Sequence, residues 1–254
     1  MLAVERQKLI MESIGRDRSV LVSDLSTRYG VSEETIRRDL LKLEKSGQIS
    51  RTYGGAVLAA KDDPEDLPYP TRQITNIAEK RTLAAVAASL VSEGDAVMID
   101  SSSTSFEVLP QMSQARDVTI ITNSVRILAS SASAPHTVIS VGGELRHRSL
   151  TLASQIAIDN IQRFAADICF ISCKALSLEK GVMDASLADA ELKRAFIMAS
   201  RRVCLLADHS KFDQTGLIAV CDLSQVDTLI TDRTPPKEWR EAAEAAGVEL
   251  LFPQ

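Results

Sequence analysis

After Glu79 the chain places seven short apolar runs at 96–99, 118–121, 137–141, 168–171, 203–206, 228–230 and 248–251, mostly separated by stretches of helical periodicity. Runs this short, continuous rather than alternating in polarity, suit strands buried on both faces, with the intervening helices as crossovers. The pattern predicts an α/β domain built on a mainly parallel sheet. An Ala-rich helix ending at Val91 precedes the first run, and another helix starts near Thr104. No internal repeat is present.

The first 56 residues follow a different pattern. Residues 3–15 read as a helix with Ile10 and Ile14 in register and Arg6, Lys8 and Glu12 outward. Ser23 is a candidate N-cap for a second helix that carries Leu25 and Tyr29 and stops at Gly30. Val31 turns the chain into Ser32, the N-cap of a third helix whose first turn holds Glu33 and Glu34 and which ends before Gly47. Residues 48–56 then have the strand, turn and strand character of a small hairpin. Two helices joined by a tight turn and followed by a hairpin make an α+β winged helix-turn-helix.

At about 100° per residue, Ile36, Leu40 and Leu43 share one stripe of the third helix. Glu34, Thr35, Arg38, Lys42 and Lys45 share the opposite arc, with Arg37 on its flank. A cationic arc alone usually means a solvated face. Joined to the turn, the caps, the double arginine and the glycine-rich wing, it points to the DNA major groove. Arg37 and Arg38 are candidates for base edges or phosphates, Ser32 and Thr35 for hydrogen bonds to either, and Lys42 for phosphate. On the wing, Arg51 suits backbone or minor groove, and Tyr53 is a further candidate. Glu33 and Glu34 either cap the helix or accept from a cytosine amino group, the capping role being favoured.

Charge supports two parts with separate work. The chain of 254 residues has net charge −5, which argues against coating nucleic acid by bulk charge. Residues 1–56 nevertheless carry 10 Lys+Arg against 8 Asp+Glu, and the remainder 19 against 26, so the acidity belongs to the C-terminal part. A head of only +2 binds DNA weakly by itself, so tight operator binding requires two or more heads and hence a dimer or tetramer. Residues 60–70 hold three prolines and four acids. The expected division is a DNA-binding domain at 1–57, a linker at 58–78 and an effector-sensing domain at 79–254.

No apolar run reaches the ~18 to 20 residues of a membrane helix, and the N-terminus lacks a signal-peptide core. The expected location is the cytoplasm, with no membrane partner. Cys169, Cys173, Cys204 and Cys221 form no C-x-x-C pair and read as buried free thiols. His136, His147 and His209 have no metal-ligand spacing, so neither metal nor cofactor is expected. Ser-His-Asp, Walker and G-x-G-x-x-G patterns are absent.

In an open α/β sheet, ligands bind beyond the carboxyl ends of the strands. The loops there are polar: Asp100-Ser101-Ser102-Ser103-Thr104, then Thr122-Asn123-Ser124, then Gly142-Gly143-Glu144-Leu145-Arg146. Hydroxyls and free amides at helix starts can cradle a phosphate, although each loop could equally be a helix cap. Lys174, Lys193, Asp208 and Lys211 lie near the same rim. Asp189 and Lys193 also have the spacing of a plain surface pair.

The run Val31-Ser32-Glu33-Glu34-Thr35-Ile36-Arg37-Arg38-Asp39-Leu40, with Leu43-Glu44, Gly47 and Arg51-Thr52-Tyr53-Gly54-Gly55-Ala56, closely resembles the signature of DeoR-type, glycerol-3-phosphate-repressor-like bacterial transcriptional regulators. Arg72, Asn76, Glu79-Lys80, Ile121-Thr122-Asn123-Ser124, Gly142 to Arg146 and Asp208-His209-Ser210-Lys211-Phe212 fit later family blocks, so the resemblance spans nearly the whole chain. It implies a repressor, less often an activator, of a sugar or polyol catabolic operon. It also implies a sensor domain resembling ribose-5-phosphate isomerase that binds a phosphorylated sugar-type effector. Two positions depart from the family. Ser102 stands where its phosphate loop has glycine, and Ser172-Cys173-Lys174-Ala175-Leu176 replaces a glycine-rich segment, adding a cation. The effector would act through residues 57–79 on the spacing of the DNA heads. The alternative is a sugar-phosphate isomerase-like enzyme with an appended DNA-binding domain, using Asp100 as base and Lys193 or Lys211 to stabilise an enediolate. A purely structural DNA-bridging protein is disfavoured by the acidic C-terminal part.

Overall fold

In a computed structural model the chain divides into two units, Met1–Asp66 and Leu67–Gln254. The structure describes residues 6, 7, 9–11, 13, 14, 19–45, 49–52, 54–58, 69–112, 115–131 and 136–253.

The first unit is a winged helix-turn-helix. The described residues between 6 and 14 are helical. They are followed by β1 (Ser19–Leu21), the helices Val22–Tyr29 and Glu33–Lys45, β2 (Ile49–Thr52) and β3 (Gly55–Leu58). The strands form an antiparallel sheet in the order β1-β3-β2. Gly30 closes the first of these helices in the left-handed region at φ 62°, where a side chain would be strained. Ser32 caps the next one, its Oγ accepting the Thr35 amide at 3.3 Å. Ile36, Leu40 and Leu43 bury into a core with Ile10, Ile14, Val22, Leu25, Ile49 and Ala56.

Two expectations fail here. Ser23 is not the N-cap: the helix starts at Val22, because β1 pairs with β3 up to Leu21 and the Val22 amide donates to Gly54 O at 2.9 Å. β1 escapes a sequence reading since it is only three residues long. Its fit depends on Gly55, where a Cβ would fall 1.9 Å from Val20 O. Arg6 does not point outward either. It is 6% exposed and donates Nε to Asp39 Oδ2 at 2.5 Å, while Gln7 Nε2 donates to Asp39 Oδ1 at 2.9 Å. Lys8 and Glu12 lie outside the described residues.

The second unit has a seven-stranded sheet in the order β15-β14-β12-β9-β4-β5-β6, every pairing parallel. Its strands are β4 (Ala96–Ile99), β5 (Thr119–Thr122), β6 (Thr137–Ser140), β9 (Ala166–Ser172), β12 (Ser200–Leu206), β14 (Thr228–Ile230) and β15 (Glu249–Leu251). The seven apolar runs thus correspond to the seven strands. Period-two geometry sends Val97, Ile99, Ile168, Phe170, Cys204 and Leu206 to one face, against Leu83, Ala84 and Ala87 of the helix Ile77–Ala88. Met98, Cys169, Ile171 and Leu205 face the other side, with Phe196 of the helix Leu187–Met198 and Trp239 of the helix Lys237–Ala246. Burial pushes the thiols of Cys169 and Cys221 up to about 12 and that of Cys204 to about 11, and none of the four cysteines forms a disulfide.

Part of the stretch read as linker belongs to this unit: Tyr69–Ile74 is helical and Tyr69 is 1% exposed. Pro70 is tolerated there because the first turn of a helix does not use its amides. Smaller strands the sequence did not announce make two further sheets. One is β7 (Glu144–Arg146) with β8 (Thr151–Ala153), and the other joins β10 (Ala175–Ser177), β11 (Gly181–Asp184) and β13 (Ile218–Cys221).

Asp39→Ala leaves the buried Arg6 guanidinium without this carboxylate, so it is expected to destabilise the first unit by about 3 to 5 kcal/mol, as broken buried pairs do. Urea denaturation followed in the isolated residues 1–66 and in the full chain would measure it, with the second unit's transition unchanged.

Candidate functional site

On the helix Glu33–Lys45 the buried positions Ile36, Asp39, Leu40 and Leu43 leave Glu33, Glu34, Arg37, Arg38 and Lys42 exposed on the opposite side, as the helical arc requires. Thr35 is half-buried, its hydroxyl 2.9 Å from that of Ser32. Those two hydroxyls are thus engaged with each other at the helix start. Glu33 and Glu34 do not cap. Glu33 Oε2 accepts from Arg37 Nη2 at 2.6 Å, and Glu34 Oε1 lies 3.4 Å from Arg38 Nε. Arg51 is placed on β2, but its side chain and the whole of Tyr53 lie outside the described residues.

In the second unit the adjacent ends of β12, β9, β4 and β5 bring most of the expected effector residues together. Asp100, 2% exposed, follows β4: its Oδ1 accepts the Ser102 amide at 3.0 Å and its Oδ2 the Ser172 amide at 3.3 Å. Lys193 Nζ stands 3.6 Å from Asp100 Oδ2 and donates to Asp184 Oδ2. Lys193 is therefore a buried cation on the inner stripe of its helix with Ala190, Phe196 and Ile197, and not half of a surface pair. Asp189 instead accepts from Ser186 Oγ at 2.7 Å.

The hydroxyl loop acts partly as scaffold. Ser102 caps the helix Ser103–Phe106, accepting the Ser105 amide at 3.0 Å. Ser101 Oγ accepts from Thr151 Oγ1 at 2.8 Å, and Thr104 is buried. Thr122 is fully buried with its hydroxyl used twice, donating to Ile99 O and accepting the Ser124 amide. Asn123 differs: it is 2% exposed and its Oδ1 has no hydrogen-bond partner.

Cations gather at this rim. Lys80, 6% exposed, donates to Ser103 Oγ at 3.0 Å and to Arg72 O at 2.5 Å. Burial and then the positive charge of Lys211 pull its pKa down to about 8, against an opposing pull from Asp208. Lys174, 7% exposed, is lowered to about 8 for the same two reasons, opposed by Asp184. Asp208 caps the short turn His209–Lys211, accepting the Ser210 amide at 2.9 Å, and lies 3.4 Å from Asn76 Nδ2. Arg72 lies 5.4 Å above the Tyr69 ring, and its Nε is buried without a hydrogen-bond partner.

Lys80, Arg72 and Asp184 were not singled out as site residues. A signal existed for Lys80: it stands three, four and seven residues before Leu83, Ala84 and Ala87, at the head of the buried stripe, where an ammonium is out of place unless used. Gly142 and Gly143 follow β6, the strand paired with β5. Both have positive φ, 72° and 108°, and a Cβ on Gly143 would crowd Ala157 and Ser154 within 3.2 Å, so the turn's packing explains them. Arg146 lines a separate hollow of about 460 Å³ with Ser154, Ser186, Leu187 and Glu191. No group of residues able to hold a metal occurs among the described residues, and no helix of theirs is long and apolar enough to cross a membrane.

Comparison with known proteins agrees with both halves. Residues 6–62 match the DeoR-like helix-turn-helix domain, and residues 75–233 match the DeoR C terminal sensor domain. The HTH-type transcriptional regulator YulB of Bacillus subtilis is 36% identical over 91% of this chain and 90% of its own length. The HTH-type transcriptional repressor GlcR of the same organism is 32% identical over 97% of this chain and 95% of its own. Among solved structures, ribose 5-phosphate isomerase A from Methanocaldococcus jannaschii aligns with 54% of this chain and 55% of that one, with a TM-score of 0.41 and 13% identity. With a winged helix-turn-helix that exposes two arginines and a separate parallel α/β unit, each matching its domain family, the chain belongs to the DeoR family of DNA-binding transcriptional regulators.

Proposed function

We propose that this regulator is a repressor of a sugar or polyol catabolic operon, acting in the cytoplasm, and that a phosphorylated sugar-type effector binding at the β12-β9-β4 rim releases it from the operator. The observation that carries the effector reading is Lys80. It is a buried ammonium whose hydrogen bonds go to a carbonyl and a hydroxyl, with no ion-pair partner among the described residues and a second lysine repelling it. Asp208 and Glu107 offset the cost of burying this cation only in part, since its pKa still falls to about 8, and an incoming phosphate would add counter-charge. Arg72 and Lys211 add positive charge beside it. Asn123 Oδ1, buried and unpaired, suits a ligand hydroxyl.

This geometry favours binding over isomerisation. The proposed base Asp100 has both oxygens occupied by backbone amides and a lysine close by. Repression is supported by the likeness to GlcR, a transcriptional repressor. The low charge of the head supports a dimer or tetramer that engages repeated half-sites.

Lys80→Met is expected to keep operator affinity and to raise the melting temperature of the free protein, since it removes a desolvated charge. It should also lose the stabilisation that a panel of sugar and polyol phosphates gives the wild type, about 2.7 kcal/mol at 100 times Kd. An unaltered ligand shift in this variant would place the effector elsewhere. Because Lys80 and Lys174 lose their protons near 8, below the ordinary lysine value, effector affinity should fall as pH rises from 7 to 9. Calorimetric titration at three pH values would read it. For the DNA side, Arg38→Ala should weaken binding by roughly 1 to 3 kcal/mol if the arginine makes a bidentate base contact. A change under about threefold in a gel-shift titration would remove that role.

A further inference from the structure

The helix Glu33–Lys45 presents its two exposed arginines already paired. Glu33 and Glu34 stand four residues ahead of Arg37 and Arg38, one turn away on the same side of the helix. All four side chains remain exposed, at 47 to 76%. Ser32 already supplies the side-chain cap, so neither glutamate is needed for that role. Two carboxylates on a surface that must approach a polyanion weaken its attraction unless they have another task there.

The two ways an arginine can meet DNA differ in what they allow its glutamate. A guanidinium offers five N–H donors in a planar fork. Arg38, facing Glu34 through Nε, keeps both terminal nitrogens for the O6 and N7 acceptors of guanine. To grip a phosphate, the same arginine must either bring the carboxylate beside phosphate oxygens or give up the pair. For Arg38 the pair is thus compatible with a base edge and penalised on the backbone; Arg37, paired through Nη2, keeps Nη1 as its remaining terminal donor and faces the same penalty on a phosphate.

We propose that Glu33 and Glu34 are specificity-determining residues of the DNA-binding unit: they hold Arg37 and Arg38 for base edges and disfavour their use on the phosphates of unrelated sequence. The charge of the head fits this division. These two acids are among only 8 in residues 1–56, and they sit beside the two arginines exposed on this helix.

The test uses the full chain with Glu33→Gln and Glu34→Gln, singly and together, and two probes: the duplex that the wild type selects from a random-sequence pool, and an unselected duplex of the same length. Affinity for the unselected duplex should rise about three- to tenfold in the double variant, with a steeper salt dependence. Affinity for the selected duplex should change by less than about twofold, so discrimination falls. Asp24→Asn removes one charge from an exposed position outside this helix and should leave discrimination intact. Equal gains on both probes, or the same loss of discrimination in Asp24→Asn, would reduce the glutamates to bulk charge and overturn the proposal. Collapse of selected binding alone would also overturn it, by making a glutamate a direct base contact. Melting temperatures identify any variant with a damaged fold, and the remaining single variant then decides.

Discussion

The sensor rim depends on one buried ammonium. Lys193 reaches from the helix Leu187–Met198 to Asp184 at the end of β11 and to Asp100 at the end of β4, so three elements meet at a single charge. None of the three groups tolerates burial alone, since an unpaired ion in a medium of low polarity costs several kcal/mol. The pairing therefore dictates where the strand ends stand relative to the helix. Asp100 then passes the constraint on, because its oxygens hold the amides of Ser102 and Ser172 and so shape the loops after β4 and β9.

Beside this network lies a second group of cations. Burial, and then the positive charge of Lys211, lowers the basicity of Lys80 and of Lys174. Like charges held together at this rim are costly by themselves, and that cost is the ground for the anion-binding role proposed for it.

The DNA-binding unit is organised in the opposite way, with its charges paired before any ligand is present. Arg6 and Asp39 form a buried bridge behind the helix Glu33–Lys45, while Glu33 and Glu34 hold the arginines in front. The rear pair secures the helix to the N-terminal segment, and the front pairs orient the side chains that face outward. Asp39 lies between the arginines and the core leucines in sequence, yet its helical angle sends it inward.

The sequence by itself determined whatever depends on local periodicity and punctuation. The seven central strands, the two helices on either side of Gly30, the Ser32 cap and the inward stripe of Ile36, Leu40 and Leu43 all follow from residues close together in the chain. Tertiary structure decided what depends on partners far along it. β1 exists because Gly55 lets β3 approach Val20, Arg6 turns inward because Asp39 is 33 residues away, and Lys193 leaves the surface for Asp184 and Asp100. Lys80 joined the rim, while the Thr122 hydroxyl is taken up by Ile99 O and the Ser124 amide, because the bonds a polar side chain makes are set by what the fold brings to it. Periodicity records which way a residue faces; only the assembled fold supplies or withholds the counter-charge it meets there.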